Sequence, residues 1–326
     1  MTLTISEVRP ASGQEWDEAW SSSPTATFSM SRHWAELWAS VSEGTLATSA
    51  KHVRFSDGQS AVLPLVVARQ HKGLLRDFEM CAAGGYGAPL ASAELSPEHH
   101  RRLVAYLLSL GDIAWLTNPV DGSANLYVLS DARSQPTHLL HLNESMSYVL
   151  KRWSKGARAA VKQAQRAGVT VRLANCVQDW RLYYAVYQES RKRWGETATS
   201  NHPWSVFSPL SQSGQLHVRL WLAELEGQVV AGAVCLYGPR HVSYWHGASL
   251  EGAFSARPVN ALMAEAIEHA VVSGYRWFDF GLSGGHEGVA AFKRGFGAEP
   301  IACYSVSRRT AASRFVKRVL NAVLGG

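Results

Sequence analysis

The chain has 326 residues, of which 46% are hydrophobic and 18% charged, with 27 Gly and 12 Pro. That length suggests about two domains, and the composition excludes a disordered, linker-like or collagen-like chain. The formal charge of +6 conceals an asymmetry, because residues 1–150 hold 10 Lys+Arg against 15 Asp+Glu while residues 151–326 hold 22 against 11. An excess that local points to specific anionic partners.

Met1 to Trp16 has no basic stretch leading into an apolar one, and no window offers 18 apolar residues in a row. The expectation is a cytoplasmic protein, at most peripheral at the inner face of a membrane. Cys81, Cys176, Cys235 and Cys303 form no CxxC pair and sit far apart in apolar surroundings, which reads as reduced buried thiols.

Two stretches follow one order of parts. In the first, the turn Asp57-Gly58-Gln59 leads into the apolar run Ala61 to Ala68, a Pro-initiated helix spans Pro97 to Leu110, and Gly111 opens the strand Asp112 to Leu116. In the second, Glu226-Gly227-Gln228 leads into Val229 to Tyr237, a helix spans Pro258 to Val272, and Gly274 opens the strand Tyr275 to Phe280. The intervals between turn glycine and strand-opening glycine are 53 and 47 residues. They indicate a duplicated α/β unit; the alternative is chance, since strand, helix and strand is a common sequence of parts. Leu216 to Glu224, Val229 to Leu236 and Val242 to Gly247 read as an antiparallel meander, so the class is α+β.

Between the stretches, Asn143-Glu144-Ser145 reads as a helix start, and one long helix is predicted from Met146 to Ala167, stopped by Gly168. On it Lys151, Lys155, Arg158, Lys162 and Arg166 recur at spacings that place them within roughly 80° of arc. Leu150, Trp153, Ala157, Ala160, Val161 and Ala164 lie opposite. No acid interrupts residues 151–172, whereas ordinary exposed helices interleave acids for i,i+4 pairs. The stripe is either a solvated face or a track for phosphates, whose binding would depend strongly on salt.

Gly281-Leu282-Ser283-Gly284-Gly285 satisfies G-x-S-x-G after a strand and before a short helix. In the hydrolase pattern an acid and then a His follow the Ser, and only Glu287, Glu299 and His286 follow here. The hydrolase reading is set aside on that ground. No P-loop, Rossmann spacing or complete HExxH exists, so metal and nucleotide chemistry have no support.

A wider constellation remains. The Lys/Arg helix ends in Arg166-Ala167-Gly168-Val169, followed by Arg193-Trp194-Gly195, the strand Ser243-Tyr244-Trp245-His246-Gly247-Ala248, the strand Tyr275 to Gly281, and Ala291-Phe292-Lys293-Arg294-Gly295-Phe296-Gly297-Ala298. Over roughly residues 20–307 this resembles the FemAB-like branch of the GNAT acyltransferase superfamily. The resemblance implies two tandem GNAT-like domains, each a mixed, mostly antiparallel sheet flanked by helices. The expected boundaries are 1–145 for a degenerate acceptor-side domain, 146–307 for a catalytic one, and 308–326 for a basic tail.

The implied reaction is attack by an amine on an activated acyl carbon, donated by aminoacyl-tRNA or by acyl-CoA, with no bound cofactor or metal. Such a site needs oxyanion stabilisation and a route for the amine's proton. By the resemblance Lys293 supplies positive charge, with Phe292 beside it as a stacking or wall residue; its alternative is a surface cation. Asp279 either accepts the proton or caps the next loop. Tyr244 faces acceptor or lies in the core. Arg193 meets an anionic acceptor or belongs to the exposed run Arg191-Lys192-Arg193. The basic stripe is the donor or phosphate site.

Two features depart from family patterns. No heptad run exists to form the coiled-coil arm of some members, and Leu250 to Pro258 offers only Gly252 and Arg257 where a CoA-binding loop is richer in both types. Both the loop and the stripe favour tRNA over CoA as donor. Ala311 to Leu324 forms a short basic amphipathic helix, with Phe315, Val316, Val319, Leu320 and Val323 on one face and Arg314, Lys317, Arg318 and Asn321 on the other. It docks on the protein or on anionic lipid. The expected function is aminoacyl transfer to an amine of a peptidoglycan or other envelope precursor; the alternatives are CoA-dependent N-acyl transfer and a non-catalytic nucleic-acid or membrane-binding module.

Overall fold

The computed structural model describes residues 2–324 except 71–72, 74, 123–131, 143–144 and 196–199, and in the last helix omits the side chains of residues 317 and 320–324. The chain forms two compact units, Met1–Gln135 with Ala302–Gly326, and Pro136–Ile301.

In chain order the first unit runs β1 (Ile5–Pro10), α1 (Gly13–Ser22), α2 (Arg32–Val41), β2 (Leu46–Thr48), β3 (Lys51–Phe55), β4 (Ser60–Leu63), β5 (Val66–Gln70), β6 (Leu75–Glu79), β7 (Tyr86–Gly87), α3 (Pro97–Ser109) and β8 (Asp112–Thr117). The second comprises β9 (Arg133–His141, entering the unit at Pro136), α4 (Met146–Arg152), α5 (Lys155–Arg166), β10 (Thr170–Leu173), α6 (Val177–Trp194), α7 (Trp204–Gln212), β11 (Val218–Leu225), β12 (Gln228–Tyr237), β13 (His241–Ser249), α8 (Pro258–Val272), β14 (Trp277–Leu282) and α9 (Glu287–Gly295). β15 (Glu299–Arg308) then leads back into the first unit, which ends with α10 (Ala311–Leu324).

Each unit repeats one arrangement. In the first, β5 pairs antiparallel with β6, α3 crosses over, β8 lies parallel to β6, and β15 closes antiparallel on β8. In the second, β12 pairs antiparallel with β13, α8 crosses over, β14 lies parallel to β13, and β9 closes antiparallel on β14. The closing strand of the first arrangement, β15, thus follows the whole second unit in the sequence, whereas that of the second, β9, precedes the rest of its own unit. The predicted order of helix and return strand holds, but the equivalence of the two turn glycines does not. Gly58 turns β3 into β4 within a separate three-stranded sheet, β1-β3-β4. The apolar run Ala61 to Ala68 is divided between β4 and β5 at Pro64, which has no N–H to give a ladder.

In the second unit β12 is buried along nearly its whole length. Helices α8 and α6 both pack against it, which is why it reads as a continuous apolar run rather than an alternating one. α8 fills the core with Leu262, Met263, Ala266, Ile267 and Ala270. Full burial of a Leu, Ile or Met side chain is worth about 1.5–3 kcal/mol.

The predicted single helix over 146–167 is two helices. α4 stops at Arg152, Trp153 is extended and buried against Phe296 with ring centroids 4.8 Å apart, and Ser154 starts α5 by accepting from the Ala157 N–H at 3.0 Å. A side-chain cap in mid-pattern outcompetes continuation because it satisfies donors that a new helix end exposes. Lys151 consequently belongs to a different helix from the other four cations, and Leu150, expected in the packed face, is exposed. The helix start does have Ser145 at its cap position, while Asn143 and Glu144 lie outside the described residues. Of the cysteines, Cys81, Cys235 and Cys303 are buried free thiols, but Cys176 is exposed, because it stands at the cap position of α6 rather than in a strand or helix interior.

Candidate active site

β13 and β14 pair through three residues only, His241 with Trp277, Val242 with Phe278 and Ser243 with Asp279, although β13 continues to Ser249. The strands part beyond that point. One edge of the opening carries Tyr244 and His246, the other Gly281 and Leu282. The register of β14 against β9 shifts between Asp279 and Leu282, and Gly281 takes a φ of 72°. A bulge of this kind turns the backbone out of the ladder and re-aims its carbonyls.

Those carbonyls face Lys293 on α9. Its Nζ donates to Gly281 O at 2.7 Å and to Leu282 O at 2.8 Å. Only 4% of the residue is exposed, so it is not the surface cation of the alternative reading. Burial lowers its pKa from 10.5 to about 8, opposed by the nearby Asp279 carboxylate. An amine poised there exists in both protonation states near neutrality.

Asp279 is 1% exposed. Its Oδ1 accepts from Gly281 N at 2.7 Å and from Thr137 Oγ1 at 2.7 Å, the contacts of the loop-capping role. Oδ2 has no hydrogen bond and lies 3.9 Å from the equally unpartnered Nε2 of His241. Burial pushes the His241 pKa down, offset by Asp279. From β9, His138 Nδ1 lies 3.2 Å from Ser283 Oγ, while its Nε2 is buried without a partner. Phe292, beside Lys293, is half-buried and meets Phe296 edge-on at 5.3 Å.

Across the opening, Tyr244 is partly buried against the core, and burial raises its pKa. It fits only because residue 247 is Gly, since a Cβ there would stand 1.8 Å from the Tyr244 hydroxyl. His246 receives or gives a hydrogen bond at Nδ1 with Tyr183 Oη (2.5 Å) and at Nε2 with Ser200 Oγ (3.0 Å). Ser200 in turn meets Tyr187 Oη at 2.9 Å. Burial holds the His246 pKa down at about 3, with His202 adding to the effect, so the ring is neutral. Arg193 does not enter this network; it donates to Ser249 O at 3.2 Å and lies over the Phe254 ring at 4.8 Å, exposed to solvent.

Lys155, Arg158, Lys162 and Arg166 remain exposed on α5. That helix is tied to α9, since Ser154 N donates to Gly295 O at 2.8 Å, and to the loop before α8, since Gln163 Nε2 donates to Ser255 O at 2.7 Å. The loop is a short 3₁₀ turn, Glu251–Ala256, with Arg257 left-handed at φ 56° before Pro258 opens α8. Two clefts of about 500 and 260 Å³ lie in the first unit, one lined by residues including Glu15, Glu18 and His52, the other by residues including Glu94, His100 and Asp121. Neither includes Lys293. Among the described residues no group of three His, Cys, Asp or Glu converges as metal ligands, and no helix is long and apolar enough to cross a membrane.

Residues 151–294 match the acetyltransferase (GNAT) domain family. Over that stretch the second unit is similar to a GNAT domain. This unit has the parted parallel strands and the Lys-bearing helix described above, and Lys293 and Asp279 both fall inside the matched stretch. The chain as a whole has the fold of FemX, with a TM-score of 0.70, 14% identity, and coverage of 92% of this chain and 96% of that one. L-PGS from Bacillus licheniformis superposes at a TM-score of 0.55 and 15% identity, covering 96% of each chain. The C-terminal domain of a putative lysylphosphatidylglycerol synthetase from Agrobacterium fabrum superposes at 0.56 and 14% identity, covering 95% of this chain and 98% of that one. No curated protein matches the chain by sequence.

The fold expected from the resemblance, α+β with tandem GNAT-like units, is the fold found. Thr137, His138, His241 and the Tyr183–His246–Ser200 network carry no site motif in the sequence. The only signal for His246 is its place in Tyr-Trp-His on a strand; His138 becomes visible only once β9 is paired to β14.

Proposed function

We propose that this GNAT-domain protein transfers an aminoacyl group from aminoacyl-tRNA to an amine of a peptidoglycan or other cell-envelope precursor. One observation carries the reading: a buried lysine at the mouth of the parted strands, with its pKa lowered toward neutrality and bound to the carbonyls that precede Ser283. As an ammonium it places positive charge where an acyl oxyanion develops. The fold shared with FemX, and with proteins named for lysylphosphatidylglycerol synthesis, supports aminoacyl groups as cargo and the envelope as destination. The four exposed cations of α5, without an acid among them, suit a nucleic-acid donor. Tyr244 is assigned to the acceptor side, and Arg193 to an anionic group of the acceptor. The exposed Phe315 and Val319 of α10 support a peripheral contact with an anionic membrane.

A second reading, N-acyl transfer from acyl-CoA, is favoured by the acetyltransferase description of the matched family. Incubation of the protein with labelled aminoacyl-tRNA or labelled acyl-CoA and an amine-bearing precursor separates the two. Label passing from tRNA to the amine, and lost in Lys293→Met, is the expected result; transfer from acyl-CoA alone overturns the tRNA reading, and undiminished transfer by Lys293→Met overturns the lysine's role.

A further inference from the structure

Beneath the opening between β13 and β14 lies a buried pair of polar side chains. Ser243 and Asp279 are the last paired residues of the two strands, and His241 stands two residues earlier on the same face of β13. His241 is fully buried and Asp279 is 1% exposed. Their facing atoms, His241 Nε2 and Asp279 Oδ2, are 3.9 Å apart, and neither has a hydrogen-bond partner. The other end of each group is held: His241 Nδ1 lies 3.1 Å from Ser243 Oγ, and Asp279 Oδ1 accepts from the Gly281 amide at 2.7 Å. With the Ser243 hydroxyl donating to Nδ1, the imidazole proton sits on Nε2 and points at the carboxylate, whereas the other tautomer sets a lone pair against it. In a water-free interior that N–H dipole orients the carboxylate. Packing alone would be served by an apolar ring of the same size, which leaves no polar atom unmatched.

We propose that His241 is a positioning residue for the reaction: its Nε2–H orients Asp279 Oδ2, the fixed carboxylate holds the Gly281 amide, and the Gly281 carbonyl holds the Lys293 ammonium. The carboxylate is also the charge that opposes the effect of burial on Lys293. Burial, against Asp279, favours the neutral His241 ring. His138 on β9 faces the same charges and is likewise pushed toward its neutral form, chiefly by burial. Glu287 and Arg294 of α9 are exposed and pair with each other, so Asp279 is the charge to which Lys293 responds. An apolar ring in place of His241 sets Oδ2 against hydrocarbon, which disfavours a charged carboxyl. Lys293 then loses the negative charge that helps to hold its proton, and the lysine pKa falls. This deepens the acyl-transfer reading and rests on it for the use of the ammonium, not for the arrangement of the side chains.

The test compares His241→Phe with His241→Gln, whose amide restores an N–H near the Nε2 position. Lys293 is titrated through its ε-carbon resonance in protein carrying isotope-labelled lysine, identified by its absence from Lys293→Met, so the readout needs no substrate. In His241→Phe the titration midpoint is expected to fall by about half a unit to one unit, while His241→Gln keeps the wild-type value. Ser243→Ala, which leaves the ring in place but frees its tautomer, moves the midpoint the same way and keeps the test open if His241→Phe does not fold. The acyl-transfer rate of His241→Phe relative to wild type is expected to be about two- to fivefold lower at pH 8 than at pH 6, as the ammonium is lost earlier. An unmoved midpoint in both His241→Phe and Ser243→Ala, a midpoint in His241→Gln as low as that in His241→Phe, or the same relative rate at both pH values overturns the proposal. A shifted midpoint in protein without any acyl transfer supports the arrangement and overturns the acyl-transfer reading; transfer with an unmoved midpoint does the reverse.

Discussion

Lys293 and Asp279 hold the same residue: the lysine Nζ donates to the carbonyl of Gly281 at 2.7 Å, and the Gly281 N–H donates to Asp279 Oδ1 at 2.7 Å. The peptide units on both sides of one glycine are thereby fixed by two buried side chains of opposite charge. Gly281 tolerates this because its φ of 72° costs a residue without Cβ little. The bulge that opens the site is thus built from the groups proposed to work in it.

Removing the lysine charge affects rate and stability in opposite senses. Lys293→Met keeps most of the volume but lacks the ammonium, and acyl transfer is expected to fall by about 100-fold or more, the scale of losing one oxyanion donor. In wild type the rate should decline as pH rises through about 8, where the ammonium loses its proton.

Stability should follow the linked sign. With a folded pKa of about 8 against 10.5 unfolded, the unfolded chain binds more protons between those values, so this residue's contribution rises with pH across that window. It is least favourable below pH 8, by about 3 kcal/mol. Denaturant unfolding at pH 7 and pH 10 should show this slope in wild type relative to Lys293→Met; equal slopes in the two would contradict a buried, shifted amine.

Asp279→Ala leaves the Gly281 amide and the Thr137 hydroxyl without this acceptor inside the fold. The Gly281 amide deprived of that acceptor costs about 1–3 kcal/mol, and a drop in thermal midpoint together with lost activity is expected. Asp279→Asn, which keeps Oδ1 as an acceptor, should recover most of the stability.

Gly247→Ala puts a methyl group where the Tyr244 hydroxyl stands, 1.8 Å from the Cβ position. Overpacking of this kind costs about 1–3 kcal/mol. Displacement of Tyr244 should raise KM for the amine acceptor more than it lowers donor binding, measured by steady-state kinetics with each substrate varied.

His246 is kept neutral by burial with a pKa of about 3, against 6.5 for a free imidazole. The unfolded chain therefore binds more protons between those values, and stability is lost as pH falls from 6.5 toward 3. The loss reaches roughly 4–5 kcal/mol at the acid end. A His246→Gln variant should show a shallower decline in unfolding free energy between pH 6.5 and pH 4.

The basic helix makes a graded prediction. Charge reversal of Lys155, Arg158 and Lys162 on α5 should flatten the log–log salt dependence of tRNA binding by about 2–3, as three phosphate contacts are lost. Lys151→Glu, on the separate helix α4, should change the slope less. Filter binding at a series of salt concentrations reads both.

The sequence by itself determined the class, the crossover helices and the basic segment, and it singled out Lys293 as a candidate. Each of these is written in local order: apolar periodicity, a helix-opening Pro at residues 97 and 258, cations without acids, and a family-like motif around residue 293. It also contained, in Ser154, the cap that divides the helix predicted over 146–167. That cap competes with a helical pattern running across it, and the buried Trp153–Phe296 contact supplies the tertiary weight. What only the fold decided are the meetings of distant residues. Thr137 reaches Asp279 and His138 reaches Ser283 because β9 closes antiparallel on β14, across about 140 residues of chain. Whether Lys293 is a surface cation or a buried amine was likewise settled by burial, which depends on every element packed around α9 and leaves no mark in the spacing of one motif.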